Sequence, residues 1–251
     1  MRRDVVELWS PELGWSPRVI AHGSYGRPLL VFPSSQGRAE DAETHGLVDA
    51  VRPLLEAGRV KLYCVDSWDG GSWYRTDLPL EQRAQLHEAY ERWVVDGVVP
   101  FVDGDCGGRQ DMAVAGCSLG AYHAANIALR RADLFPLALC LSGVYDLSVL
   151  ARDTADSGER GTSFHLNTPL WSLAAADGDH LDWLRSRLSL LLVCGQGQWE
   201  DTTGALESTQ AFGALCADKG LRVETDLWGH DVPHDWPSWR AQLAHHLPRF
   251  V

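Results

Sequence analysis

Six short runs, apolar for the most part though the last carries Glu224, Thr225 and Asp226, recur along the chain, at 29–32, 60–65, 112–117, 137–141, 188–194 and 223–228. They are rich in Val, Leu, Ala and Cys, and they are too short for helices. Such runs predict strands buried on both faces. Between them the apolar spacing becomes helical. Leu47, Val48, Val51, Leu54 and Leu55 fall on one face, as do Leu86, Tyr90, Trp93, Val94 and Val98. The same period predicts helices at 118–131, 205–219 and 236–246. The first thirty residues instead predict a β-hairpin, 5–9 against 18–22, closed by a turn containing Pro and Gly. Strands alternating with helices imply a mainly parallel central sheet with helices on both faces and an antiparallel N-terminal edge. The segment 153–182, rich in Gly, Asp and Ser, reads as an irregular, cap-like insertion between two strands, small rather than a large lid. No linker, repeat or low-complexity tract interrupts the pattern, so residues 1–251 are expected to form a single domain.

Composition narrows the partners. The chain has 251 residues, 45% of them hydrophobic and 22% charged, which suits a globular protein with a sizeable core. A net charge of −12 argues against nucleic acid or an anionic membrane as partner. No apolar run approaches the length of a transmembrane helix. The start, Met1-Arg2-Arg3-Asp4-Val5-Val6, lacks the apolar stretch of a signal peptide, so a cytoplasmic protein is expected. The six cysteines form no C-x-x-C pair and read as free thiols, most of them buried.

The most specific chemistry lies at Gly116-Cys117-Ser118-Leu119-Gly120, where an apolar run ends and a helical stretch begins at once. That is the strand, sharp turn and helix of a nucleophile elbow, with Ser118 at the tip. Glycines two residues either side let strand and helix approach closely. A serine hydroxyl needs a base, and the base needs an acid. In an α/β hydrolase these follow the serine in the order acid, then histidine. The run 188–194 is followed by Gln198-Trp199-Glu200-Asp201, and the run 223–228 by Gly229-His230-Asp231-Val232-Pro233-His234. His234, immediately before the last helix, is favoured over His230. Glu200 is favoured over Asp201 for its reach, with Glu207 a lesser candidate; any one of these carboxylates could instead be a solvated loop charge.

An oxyanion hole needs two N–H donors. Leu119, at the start of the helix, supplies one. The loop Pro33-Ser34-Ser35-Gln36-Gly37 should supply the other, from Ser35 or the adjacent Gln36. Trp68, Trp73 and Tyr74 could line a substrate pocket or simply cover the sheet edge. The pair His245-His246 reads as a solvated helix end. Pro233 between His230 and His234 speaks against a helical zinc pair, and Gly195-Gln196-Gly197 lacks the third glycine of a dinucleotide fingerprint. Neither a metal nor a cofactor is expected.

The strings LVFPSS from Leu30, CVDSW from Cys64, GCSLGAYHAAN from Gly116 and LWGHDVPHDWPSWR from Leu227 resemble the putative esterase (esterase D-like) family of the α/β-hydrolase superfamily. The likeness runs from about Trp9 to the end. It implies an α/β-hydrolase fold and a serine esterase acting on small-molecule carboxylic esters through Ser118, a loop acid at Glu200 or Asp201, and His234. Two departures stand out. Pro33-Ser34-Ser35 replaces the family's His-Gly, and Gln198 stands where an Asp is usual. An acyltransferase with the same triad is the alternative within the enzymes. A non-catalytic binding protein of this fold is the alternative outside them.

Overall fold

A computed structural model describes residues 1–151 and 160–251. Its strands are β1 (Arg3–Glu7), β2 (Arg18–His22), β3 (Arg27–Phe32), β4 (Val60–Val65), β5 (Ala113–Cys117), β6 (Leu137–Leu141), β7 (Ser189–Cys194) and β8 (Arg222–Leu227). They form one sheet in the order β1-β2-β4-β3-β5-β6-β7-β8. β1 pairs with β2, and β2 with β4, in antiparallel register; every other pairing is parallel. The helices are α1 (Asp41–Thr44), α2 (Leu47–Ala50), α3 (Arg52–Glu56), α4 (Leu80–Trp93), α5 (Val99–Asp105), α6 (Leu119–Arg130), α7 (Thr162–Leu166), α8 (Pro169–Ala175), α9 (Gly178–Arg187), α10 (Ala205–Asp218) and α11 (Trp236–His246).

The apolar runs sort by alternation, because successive strand residues point to opposite faces. Leu30, Phe32, Val114, Ala138 and Leu192 join one core with Tyr90 and Trp93 of α4, Ala121, Ala124 and Ile127 of α6 and Phe212 of α10. Leu29, Val31, Ala113, Ala115, Leu139 and Val193 join the opposite core with Leu47, Val48 and Leu54 and with Trp239 and Leu243 of α11. The sheet is thus covered on both sides, as an α/β-hydrolase sheet must be.

Four elements depart from the sequence expectation. The first strand is 3–7 rather than 5–9, because Ser10 to Trp15 closes its own turn. The apolar stretch around Val48 is not one helix but three short ones, α1 to α3, with Gly46 at φ +77° before α2 and Pro53 at the second position of α3. β8 is not buried: it is the sheet's edge, and its Arg222, Glu224 and Thr225 are exposed. The expected irregular segment is helical over its described part, in α7, α8 and the first half of α9, while 152–159 lie outside the described residues. Pro169 and Leu173, four residues apart, give α8 its buried side, with Leu170 and Trp171 half-buried beside them.

The turn between β5 and α6 leaves no room for side chains at its glycines. A Cβ on Gly116 would overlap the carbonyl of Gly120, and one on Gly120 would overlap the carbonyls of Phe32 and Pro33. Backbone meets backbone there, and neither side can move without shifting a strand. Gly120→Ala is therefore expected to destabilise the protein by about 1–3 kcal/mol or more. Thermal unfolding followed by circular dichroism reads this as a Tm lowered by several degrees.

Candidate active site

Ser118 sits at the N-cap of α6 with φ +56° and ψ −122°, a conformation forbidden to most L-residues. Its N–H is held by the carbonyl of Leu141 at 2.8 Å. The turn lifts the side chain clear of the sheet and leaves it half-buried. Next to it, burial pushes the Cys117 thiol well above its ordinary range, so that thiol stays protonated.

The second and third groups come from the ends of β7 and β8. The two loops are laced together: Gly197 N–H donates to the carbonyl of Val232 at 2.9 Å, and His234 N–H to the carbonyl of Gln198 at 3.0 Å. A Cβ on Gly195 or Gly197 would run into that Val232 carbonyl, which is the reason for the Gly-x-Gly spacing. The loop then passes through Trp199 at φ +70° and turns Glu200 inward. Glu200 is fully buried.

The resulting geometry is a continuous chain. Ser118 Oγ lies 3.0 Å from His234 Nε2, and His234 Nδ1 lies 2.8 Å from Glu200 Oε2. A carboxylate can only accept, so the ring proton belongs on Nδ1 and Nε2 is left to accept the serine hydroxyl. The imidazole is packed edge-on against Trp239, ring centroids 5.0 Å apart. Asp235 caps α11 by accepting from Ser238 N–H at 3.0 Å, which fixes the backbone immediately after His234.

The alternative candidates from the sequence lie apart from this chain of contacts. Asp201 is exposed and accepts from Thr202 N–H. Glu207 faces solvent on the first turn of α10, and His230 is exposed on the loop. Leu119 N–H, at the start of α6, and Ser35 N–H have no protein hydrogen-bond partner among the described residues, whereas Gln36 N–H is taken up by Asp69 Oδ2 at 2.9 Å. Trp73 is core, fully buried against Tyr122 and Phe164. Trp68 stacks on Trp15 and with it lines a cleft of about 550 Å³ beside Gln36, and Tyr74 bonds Ser35 through their hydroxyls. His246, expected at a solvated helix end, is buried with Nε2 2.9 Å from Asp226, because α11 packs its last turn beside β8.

Sequence reasoning missed Ser142. It follows β6 with φ +54°, and its hydroxyl donates to Glu200 Oε1 at 2.6 Å while accepting from Trp239 Nε1 at 3.1 Å. Gly195 N–H adds a donor to the same oxygen at 3.3 Å, and the Cys194 thiol one to Oε2 at 3.3 Å. The signal was its place: Ser142 ends the strand that lies between those of Ser118 and Glu200.

A half-buried serine on a strained strand-to-helix turn, paired with a histidine that is in turn paired with a buried carboxylate, on this sheet topology, defines an α/β hydrolase with a serine-hydrolase constellation. The chain matches the model of the family described as putative esterase over residues 32–250. It belongs to that family and is a carboxylic-ester hydrolase. No curated protein matches the sequence. Solved structures similar to it include a ferulic acid esterase, 18% identical over 99% of this chain and 96% of that one, TM-score 0.73. An S-formylglutathione hydrolase from Staphylococcus aureus is 14% identical over 99% and 98%, TM-score 0.74. Another from Agrobacterium tumefaciens is 14% identical over 98% and 93%, TM-score 0.71. At such identities these likenesses concern the fold.

Removing the Ser142 hydroxyl takes a donor from a buried carboxylate. Ser142→Ala is expected to lower stability by about 1–3 kcal/mol. Denaturant unfolding should show this as a lower midpoint with unchanged slope.

Proposed function

We propose that the protein hydrolyses small-molecule carboxylic esters through an acyl-enzyme on Ser118. The observation that carries the reading is the unbroken chain from Ser118 Oγ to His234 at 3.0 Å and from His234 to the buried Glu200 at 2.8 Å. Ser118 Oγ attacks the ester carbonyl carbon, and its proton passes to His234 Nε2. The electron pair of the C=O bond moves onto oxygen, where the N–H groups of Leu119 and Ser35 receive it. Collapse of the tetrahedral species breaks the ester C–O bond, and the imidazolium returns its proton to the departing alkoxide. Water then repeats the sequence on the acyl-enzyme, releasing the carboxylic acid and Ser118. Glu200 holds the ring tautomer and stabilises the imidazolium at both steps.

Charge and compartment fit this reading. The serine, histidine and carboxylate need no metal or cofactor for this chemistry. Among the described residues no helix is long and apolar enough to cross a membrane. The six cysteines are all free thiols, which suits a reducing, cytoplasmic setting.

Two sets of variants test the assignment on p-nitrophenyl acetate, with spontaneous hydrolysis subtracted and folding checked by circular dichroism. Ser118→Ala should abolish turnover. His234→Ala should lower kcat by a factor on the order of 10³ or more, while His230→Ala leaves it near wild type. Equal losses at the two histidines would overturn the choice of base.

The carboxylates are tested in the same assay. Glu200→Gln keeps the shape but offers the ring the wrong partner, so kcat should fall by about 10³–10⁴-fold. Asp201→Asn, a change on an exposed loop, should stay within about twofold. A loss at Asp201 with Glu200 silent would reverse the assignment.

A further inference from the structure

The loop after β3, Pro33-Ser34-Ser35-Gln36-Gly37, does not follow a relaxed path. Gln36 has φ +53°, a left-handed conformation that a non-glycine residue keeps only when its surroundings impose it. What imposes it is the segment after β4. Asp69 Oδ2 accepts the Gln36 N–H at 2.9 Å. Ser67 N–H donates to the carbonyl of Gly37 at 3.1 Å. The Tyr74 hydroxyl bonds the Ser35 hydroxyl. Ser35 is thereby held on both sides, through its own side chain and through the next peptide.

Asp69 reaches further. Its other oxygen, Oδ1, lies 2.8 Å from His123 Nε2, and His123 stands on α6, five residues after Ser118. Both side chains are buried, at 1% and 2% exposure. Burial acts to raise the Asp69 pKa, but the His123 ring and the Gln36 N–H outweigh it and hold the carboxyl below its usual range. The Asp69 carbonyl also accepts the N–H of Tyr74 at 2.9 Å, so the same residue sets where the tyrosine stands. One carboxylate therefore ties the loop bearing Ser35 to the helix that begins at Leu119.

We infer that Asp69 and Tyr74 are positioning residues for the oxyanion hole: they fix the backbone of Ser35 relative to α6, so that the Ser35 and Leu119 N–H groups are set in advance for the tetrahedral oxyanion. The inference rests on the esterase reading above. It accounts for the division of labour within the loop. The Gln36 N–H is consumed by Asp69, while the Ser35 N–H has no protein partner among the described residues. A preorganised donor stabilises charge that exists only in the transition state, so its loss lowers kcat and leaves KM little changed.

The test compares Asp69→Ala, Asp69→Asn and Tyr74→Phe with wild type and Ser118→Ala, on p-nitrophenyl acetate and with an aryl trifluoromethyl ketone as inhibitor. That ketone is bound as a serine hemiketal whose oxyanion needs the same two donors. Asp69→Ala should lower kcat by about 10²-fold, keep KM within about threefold, and raise the inhibitor Ki by the same factor as kcat falls. Asp69→Asn should recover to within about tenfold of wild type, because its Oδ1 still accepts the Gln36 N–H and its NH₂ can donate to a neutral His123 ring. Tyr74→Phe removes one partly exposed hydroxyl and should fold normally. It should lower kcat about three- to tenfold with a matching rise in Ki. If Asp69→Ala does not fold, Tyr74→Phe and Asp69→Asn decide. A folded Asp69→Ala with unchanged kcat and Ki, a loss confined to KM, or an unaffected Tyr74→Phe would each overturn the positioning role. Wild-type turnover that survives Ser118→Ala would instead overturn the esterase reading itself.

Discussion

The interaction on which the site depends is the burial of the Glu200 carboxylate. An unpaired charge in a protein interior costs several kcal/mol, so a buried carboxylate persists only where donors surround it. Here they converge from three strand ends: Ser142 from β6, Gly195 and Cys194 from β7, and His234 from beyond β8. Satisfying one side chain thus requires three crossover connections to arrive at one place. The strand ends themselves are stitched toward β7: Ser118 N–H donates to Leu141 and Ser142 N–H to Val193 from one side, and Trp228 N–H donates to Cys194 from the other. The parallel sheet aligns those ends at one edge, and the carboxylate locks them.

Strain collects around that edge. Among the described residues, Gln36, Ser118, Ser142 and Trp199 are the non-glycine residues with positive φ, and each follows or neighbours the end of a parallel strand, in the loops after β3, β5, β6 and β7. Strained backbone survives where the surroundings over-determine it, which is commonest at functional sites. The determining bonds are visible for each: Asp69 on Gln36, Leu141 on Ser118, Val193 on Ser142, and Thr203 on the carbonyl of Trp199. The glycines have a complementary role. Gly116, Gly120, Gly195 and Gly197 mark places where two backbones meet with no room for a side chain.

Much of this was legible in the chain. Apolar runs of strand length separated by helical spacing identify a covered parallel sheet, because only a strand buried on both faces is apolar at every position. The elbow glycines, the order serine, carboxylate, histidine, and the placement of His234 before a helix follow from local sequence. The particular carboxylate was a preference between adjacent residues, argued from reach. Position along the chain could not show that Glu200 turns inward while Asp201 turns out; that follows from the φ of Trp199 and the lacing of Gly197 to Val232.

What the sequence by itself determined is therefore the set of local conformations: strands, helices, the elbow and the loops in which chemistry can sit. The breaks at Gly46 and Pro53, the exposed edge at β8 and the helices α7 to α9 show where apolar patterning alone misjudges extent and burial, since those depend on what lies alongside. Ser142 and Asp69 have no motif of their own, and nothing local to the string after the elbow marks out His123. They matter because parallel strand order brings β6 between β5 and β7, and β3 between β4 and β5. Only the tertiary structure decides such neighbours, because hydrogen bonds between segments 58 residues apart, as from Ser142 to Glu200, leave no periodic trace in the chain that makes them.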